Sequence, residues 1–177
     1  MKNICILIPA YNPDNRLIEL VEELKCSLPE TPIVIINDGS SSDLVFDNLL
    51  KKCPPPEKVL THNINLGKGE ALKNGINYII ENYPDCIGIV TADCDLQHSV
   101  EDIVKICREL NSLPDNLYLG SRLFKGKHIP LRSILGNISV SFFMNLVHRI
   151  NLKDTQTGKY WSLGARPCPD NNEYYIK

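Results

Sequence analysis

Thr91-Ala92-Asp93-Cys94-Asp95-Leu96-Gln97-His98 is the stretch around which the chain is organised. It follows an apolar run, Cys86 to Val90, with the character of a buried strand, and it precedes Ser99 and a helical pattern. An acidic pair spaced by one residue thus stands where a strand ends and a turn begins. In an open α/β sheet, ligands bind beyond the carboxyl ends of the strands. Carboxylates at i and i+2 share one side while the chain is still extended. Helped by the carbonyl of Gln97, Asp93 and Asp95 suit a hard divalent cation that takes oxygen ligands. Such a cation clamps a diphosphate and neutralises a departing phosphate. The same two acids also suit an exposed turn that caps the next helix.

Before this stretch the pattern is strand, polar turn, helix, repeated. Asn3 to Ile8 is apolar and ends at Pro9-Ala10-Tyr11-Asn12-Pro13. Asn12 is expected to cap a helix with Pro13 in its first position, and Leu17, Leu20, Val21, Leu24 and Leu28 then recur at helical spacing. Ile33-Val34-Ile35-Ile36 is a second buried strand. Asn37-Asp38-Gly39-Ser40-Ser41-Ser42-Asp43 is turn chemistry leading into a helix that runs to Lys52. Asp38 lies just past its strand, as Asp93 does past its own. On this segment alone, an Asx-turn aspartate that only folds its own turn is the favoured reading. Cys53-Pro54-Pro55-Pro56 is a stiff connector.

Val59-Leu60 begins a weaker strand, and Gly67-Lys68-Gly69 opens a helix carrying Leu72, Ile76 and Ile79. Glycine amides and a helix N-terminus favour an anion. Leu72 stands where the third glycine of a dinucleotide fingerprint would be, and the Walker spacing is missing too. After the acidic stretch, Ser99-Val100-Glu101-Asp102 resembles a capping box ahead of Ile103, Ile106, Cys107 and Leu110. Leu117 to Leu119 reads as a short strand entering Gly120-Ser121-Arg122. After Pro130 an amphipathic helix is expected, packed on the core or lying at a membrane surface. Strands alternating with helices predict an α/β fold with a mostly parallel, Rossmann-like sheet flanked by helices.

Length and composition are those of a soluble domain with a real core. A net charge of -2 gives no global field for nucleic acid, and no nucleic-acid partner is expected. The charge is uneven, however. Arg122, Lys125, Lys127, Arg132, Arg149, Lys153 and Lys159 share their segment with a single acid, Asp154. Such a segment favours phosphate or an anionic membrane surface, or forms a solvated face. The seven cysteines include no Cys-x-x-Cys pair and several fall in apolar runs, as small buried hydrophobes in a reducing compartment do. The N-terminus has no signal-peptide pattern, and no apolar run reaches bilayer length. A cytoplasmic location is expected, including the periphery of the cytoplasmic membrane face.

In a parallel sheet these strand ends share one edge and one pocket, with carboxylates for a metal, glycine amides and a lysine for phosphate, and arginines beyond. Several strings taken in order extend the picture: Ile8-Pro9-Ala10-Tyr11-Asn12, Asn37-Asp38-Gly39-Ser40, Asn65-Leu66-Gly67-Lys68-Gly69 and Asp93-Cys94-Asp95-Leu96-Gln97-His98. They continue as Gly120-Ser121-Arg122, Arg132-Ser133 with Gly136-Asn137, and Asp154-Thr155-Gln156-Thr157-Gly158. Together they resemble family 2 glycosyltransferases of the GT-A fold, in the branch of dolichyl- and polyprenyl-phosphate sugar synthases. The resemblance covers about residues 3 to 158. It implies a glycosyltransferase domain over 1–158 and an irregular tail over 159–177.

The resemblance also implies roles. Pro9, Ala10, Tyr11 and Asn12 line the base and ribose pocket, Asp38 contacts the base or ribose, and Lys68 and Ala92 belong to the nucleotide-sugar site. Asp93 faces the nucleotide, while Asp95 and Gln97 hold Mg²⁺ or Mn²⁺ on the diphosphate. Ser121, Arg122 and Arg132 meet the acceptor phosphate, and Asp93, Asp95 and Arg122 form the catalytic set. The implied reaction is inverting transfer of a hexose from a nucleotide diphosphate sugar, of the GDP-mannose or UDP-glucose type, to a polyprenyl or dolichyl phosphate. An ionised phosphate acceptor needs no general base, whereas a saccharide hydroxyl, the alternative acceptor, needs one. The implied partners are the donor, the lipid phosphate, a peripheral membrane contact and a membrane subunit. The chain departs from the pattern at Pro13, where many relatives carry an acid, and at Lys159-Tyr160-Trp161, where they carry an apolar residue and then Arg. Relatives continue with further helices, so truncation or a shifted frame after Gly158 is expected. An inactive nucleotide-binding fragment is the third alternative.

Overall fold

The computed structural model describes residues 4–51, 58–96 and 99–112, and the backbone of 162–163. The elements run β1 (Ile4–Ala10), α1 (Arg16–Ser27), β2 (Ile33–Asn37), α2 (Leu44–Lys51), β3 (Lys58–Thr61), α3 (Lys68–Asn82), β4 (Gly88–Thr91), α4 (Val100–Ser112) and β5 (Ser162–Leu163). The sheet order is β3-β2-β1-β4-β5. β1 through β4 pair in parallel, whereas β5 runs antiparallel to β4.

The unbroken apolar runs of β1 and β2 follow from burial on both faces. Ile4, Ile6 and Ile8 of β1, with Ile33 and Ile35 of β2, join Leu17, Leu20 and Leu24 of α1 and Ile103, Cys107 and Leu110 of α4 in one core. The alternate residues Cys5, Leu7, Val34 and Ile36 face a second core with Ala71 and Ile79 of α3. The two-residue period of a strand therefore divides the sheet between α1 and α4 on one side and α3 on the other.

The chain builds β2 and β3 outward from β1, then crosses to place β4 on the other side of β1. Strand order reverses at β1, and in such sheets the crevice opens beyond the carboxyl ends at the reversal. Ala10 is level with Asn37, and Asn37 with Thr61, so the turns after β1, β2 and β3 leave the sheet together.

Two expectations change in detail. Asn12 does not cap α1. It adopts φ +47 and turns its side-chain oxygen to the Ser41 amide at 2.8 Å. The helix begins later, at Arg16, whose amide donates to Asp14 Oδ1 at 3.0 Å. The sheet also extends past residue 158: Leu163 is level with Ile89, and Ser162 with Val90. A two-residue edge strand is too short to leave a period in sequence. The capping box after the acidic stretch is present, with the Asp102 amide donating to Ser99 Oγ at 3.2 Å. Among the described residues no helix is long and apolar enough to cross a membrane.

Candidate active site

Pro9, Ala10, Tyr11, Asp38, Asn65, Lys68, Asp93, Cys94 and Asp95 line one cleft of about 330 Å³ at the carboxyl edge of the sheet. Most of the residues expected to bind donor or metal thus meet, although they come from four separate turns. The volume lies near the lower end of small-molecule sites, roughly 300–1,000 Å³.

The turn after β2 forms the back of the cleft. Asp38 is 3 % exposed. Its Oδ1 accepts from the Leu66 amide at 2.9 Å and lies 2.7 Å from His62 Nδ1, while its Oδ2 accepts from the Gly67 amide at 2.9 Å. Burial pushes the Asp38 carboxyl up, but the amides of Leu66 and Gly67 and the His62 ring outweigh it and leave the group below its ordinary range. The anion received by the turn before α3 is therefore the protein's own aspartate. Gly39 makes this approach feasible. It has φ +68, and a Cβ there would lie 2.2 Å from the Ile64 carbonyl carbon. No other residue suits both the left-handed backbone and that contact.

The front carries the charges. Lys68, the first residue of α3, places Nζ 2.5 Å from Asp93 Oδ1. Asp95, two residues further along the same turn, lines the cleft as well. Arg16 holds this wall from outside: Nη1 donates to the Asp95 carbonyl oxygen at 3.2 Å, while Nε donates to both Asp14 oxygens at 2.9 Å. The hydrogen bonds and charge of Arg16 keep the Asp14 carboxyl below its ordinary range. Leu96, at φ +54, closes the acidic turn and packs its side chain on the larger core. A left-handed leucine costs about 1–2 kcal/mol, so the packing and the Arg16 anchor oppose real strain. Burial first, and then the Asp95 and Asp93 charges, push the Cys94 thiol up.

Other expected residues stand elsewhere. Asn12 is tied to the β2 turn, its amide donating to Ser40 Oγ at 2.9 Å and its side-chain oxygen accepting from Ser41. Ala92 is buried in the larger core, with its amide on the Leu7 carbonyl at 3.0 Å. Gln97, Ser121, Arg122 and Arg132 lie outside the described residues, as do the strand expected at 117–119 and the helix after Pro130. Sequence reasoning missed Asn65, Arg16, His62 and Asn74. The Asn65-Leu66-Gly67 string pointed to the first of these, and nothing local pointed to the others.

An α/β sheet whose cleft at the strand reversal gathers two carboxylates, a lysine and a buried acceptor has the plan of a ligand-binding α/β domain. The glycosyl transferase family 2 profile matches residues 5–165. The chain belongs to that family, and the domain is a glycosyltransferase domain of the GT-A type. An uncharacterized protein of Methanocaldococcus jannaschii is 29% identical over 160 residues, covering 88% of this chain and 62% of that protein. The UDP-N-acetylglucosamine–dolichyl-phosphate N-acetylglucosaminyltransferase of Methanococcus voltae is also 29% identical, over 178 residues, covering 89% of this chain and 68% of that one. The solved 1–349 portion of TarS from S. aureus superposes with a TM-score of 0.53 at 17% identity, over 75% of this chain and 39% of TarS 1–349. The chain therefore spans roughly two thirds of the length of these two relatives.

Proposed function

We propose that this chain carries the donor site of an inverting, metal-dependent glycosyltransferase that moves a hexose from a nucleotide diphosphate sugar to a polyprenyl phosphate. The observation that carries this reading is the convergence of Asp38, Lys68, Asp93 and Asp95 on one cleft at the strand reversal.

Each group has a task matched to its chemistry. Asp38, held as an ionised acceptor, receives an N–H from the base. Pro9, Ala10 and Tyr11 give the base and ribose an apolar wall. Lys68 exchanges part of its hold on Asp93 for the diphosphate, which carries more charge. Among the described residues no three His, Cys, Asp or Glu side chains converge as a metal-holding group. Two carboxylates in one cleft instead fit a hard ion that completes its shell with substrate phosphate and water, the usual habit of Mg²⁺. Asp95 and Gln97 would hold such an ion, Mg²⁺ or Mn²⁺, and when bound it supplies charge neutralisation at the departing diphosphate.

The acceptor phosphate oxygen attacks the sugar C1 opposite the leaving group. The new C1–O bond forms as the bond to the β-phosphate oxygen breaks, and the electron pair leaves with the nucleotide diphosphate. The attacking oxygen is already ionised, so the work left to the protein is positioning and charge stabilisation. Arg122, with Ser121 and Arg132, supplies the acceptor's charge partners, and the basic run from Arg122 to Lys159 suits them to a lipid phosphate at a membrane periphery. The Methanococcus voltae relative, named for a dolichyl-phosphate acceptor, supports the same choice over a saccharide hydroxyl.

The test is incubation with radiolabelled nucleotide sugars and polyprenyl phosphate, with and without Mn²⁺, followed by organic extraction. Label is expected in the organic phase only when the metal is present. Label transferred to a soluble saccharide instead, or nucleotide binding without transfer, would contradict the proposal.

A further inference from the structure

His62 follows β3 and stands behind the cleft wall, its side chain 12% exposed. Nδ1 is 2.7 Å from Asp38 Oδ1, and Nε2 is 3.1 Å from the side-chain nitrogen of Asn74 on α3. An ionised carboxylate only accepts, so Nδ1 carries a proton and donates it. The Asn74 nitrogen donates in turn, so Nε2 is bare. The ring is thus oriented by a partner at each of its two nitrogens. Its backbone is fixed as well, with the His62 amide on the Asn37 carbonyl at 2.8 Å. Asp38 Oδ1 is consequently filled by two donors, His62 Nδ1 and the Leu66 amide, whereas Oδ2 has the Gly67 amide and one lone pair to spare.

We propose that His62, oriented by Asn74, is a positioning residue for base selection: it locks the Asp38 carboxylate so that the cleft accepts nucleobases presenting a ring N–H and rejects those presenting a bare ring nitrogen. Uracil and guanine belong to the first group, cytosine and adenine to the second. A bare nitrogen facing an immobile carboxylate sets two acceptors against each other. A carboxylate free to swing could evade that contact; the Leu66 and Gly67 amides hold one edge of the group, and His62 completes the hold from the side chain. Neither His62 nor Asn74 lines the cleft, so their effect on the ligand passes through Asp38. The inference rests on the cleft being the nucleotide site proposed above.

The test compares UDP, GDP, CDP and ADP by calorimetry with Mn²⁺ on wild-type protein, His62→Asn and His62→Phe. The Asn side-chain amide can donate where Nδ1 did, and Phe cannot. Wild type is expected to bind UDP or GDP at least about 10-fold more tightly than CDP and ADP, the worth of one buried polar mismatch. H62N keeps most of that ratio, while H62F lets it collapse toward unity. Equal weakening of all four nucleotides in H62F, or the same collapse in H62N, would overturn the inference. Nitrogen-15 spectra of wild-type histidines add a readout that survives if H62F does not fold. They should report His62 protonated at Nδ1 only, and a proton on Nε2 instead overturns the inference. Wild-type protein that binds none of the four defeats the nucleotide-site reading itself.

Discussion

The Lys68 ammonium and the Asp93 carboxylate lie 2.5 Å apart, joining the first residue of α3 to the turn beyond β4. The pair is open to water, Lys68 being 50% and Asp93 23% exposed at the side chain. Its worth to stability is accordingly small, on the order of 0–1 kcal/mol. Its position argues for a ligand role instead, because it holds a cation at the mouth of a cleft that a diphosphate would enter. Lys68→Ala should therefore leave the melting temperature nearly unchanged while weakening UDP or GDP binding by about 10-fold, within the range for a charge-assisted hydrogen bond. Calorimetry beside thermal unfolding separates the two effects.

Asp38 is the buried counterpart, and its effect should appear in stability against pH. Its folded carboxyl sits below the ordinary range, so the stability it contributes is present above the unfolded value, about 3.9. That stability is lost as pH falls through the folded value. Asp38→Asn should be destabilised relative to wild type by about 1–3 kcal/mol at pH 7, the cost of upsetting a buried hydrogen-bonded group. The gap should narrow in acid, once wild-type Asp38 also takes up its proton. Urea unfolding of both proteins from pH 7 down to pH 3 measures it, and a gap that is constant or widens in acid would be the contrary result.

Gly39 carries the contact between the β2 and β3 turns. Gly39→Ala adds a Cβ where the Ile64 carbonyl carbon would lie 2.2 Å away, at a backbone φ of +68. The turns must part, which also withdraws the Leu66 and Gly67 amides from Asp38. The substitution should cost more than about 1 kcal/mol of stability and reduce nucleotide affinity as well. Unfolding and binding assays on G39A check both, and retained affinity would mean that the Asp38 network does not serve the ligand.

The layered α/β plan could be read before the structure because its signals are local. β1 and β2 are unbroken apolar runs of residues buried on both faces, and α1 and α4 carry stripes at helical spacing. Asp38, Asp93 and Asp95 could be named because each lies beyond a strand end and strand ends share an edge, and Lys68 because Gly67-Lys68-Gly69 opens a helix. What escaped depends on partners distant in sequence. Arg16 reaches a carbonyl 79 residues away, and His62 looks like any polar residue after a strand until Asp38 and Asn74 enclose it. Asn12 was misplaced as a cap because its preference for Ser41, 29 residues on, has no local trace. Ala92 shares a motif with two cleft acids, yet the alternation of an extended chain turns it into the core.

The most direct measurement is a calorimetric titration with UDP and GDP, with and without Mn²⁺, on wild type, Asp95→Asn and Asp43→Asn. Asp43 is a fitting control, since its carboxylate accepts from the Asn37 side chain at 2.8 Å, an acceptor role that an amide oxygen can keep. Wild type and D43N should bind one of the two nucleotides in a Mn²⁺-dependent way, and D95N should lose at least about 10-fold of that affinity, as removal of a charged ligand to a hard cation demands. Binding that ignores Mn²⁺, or D95N that binds as wild type does, would contradict the account at its centre.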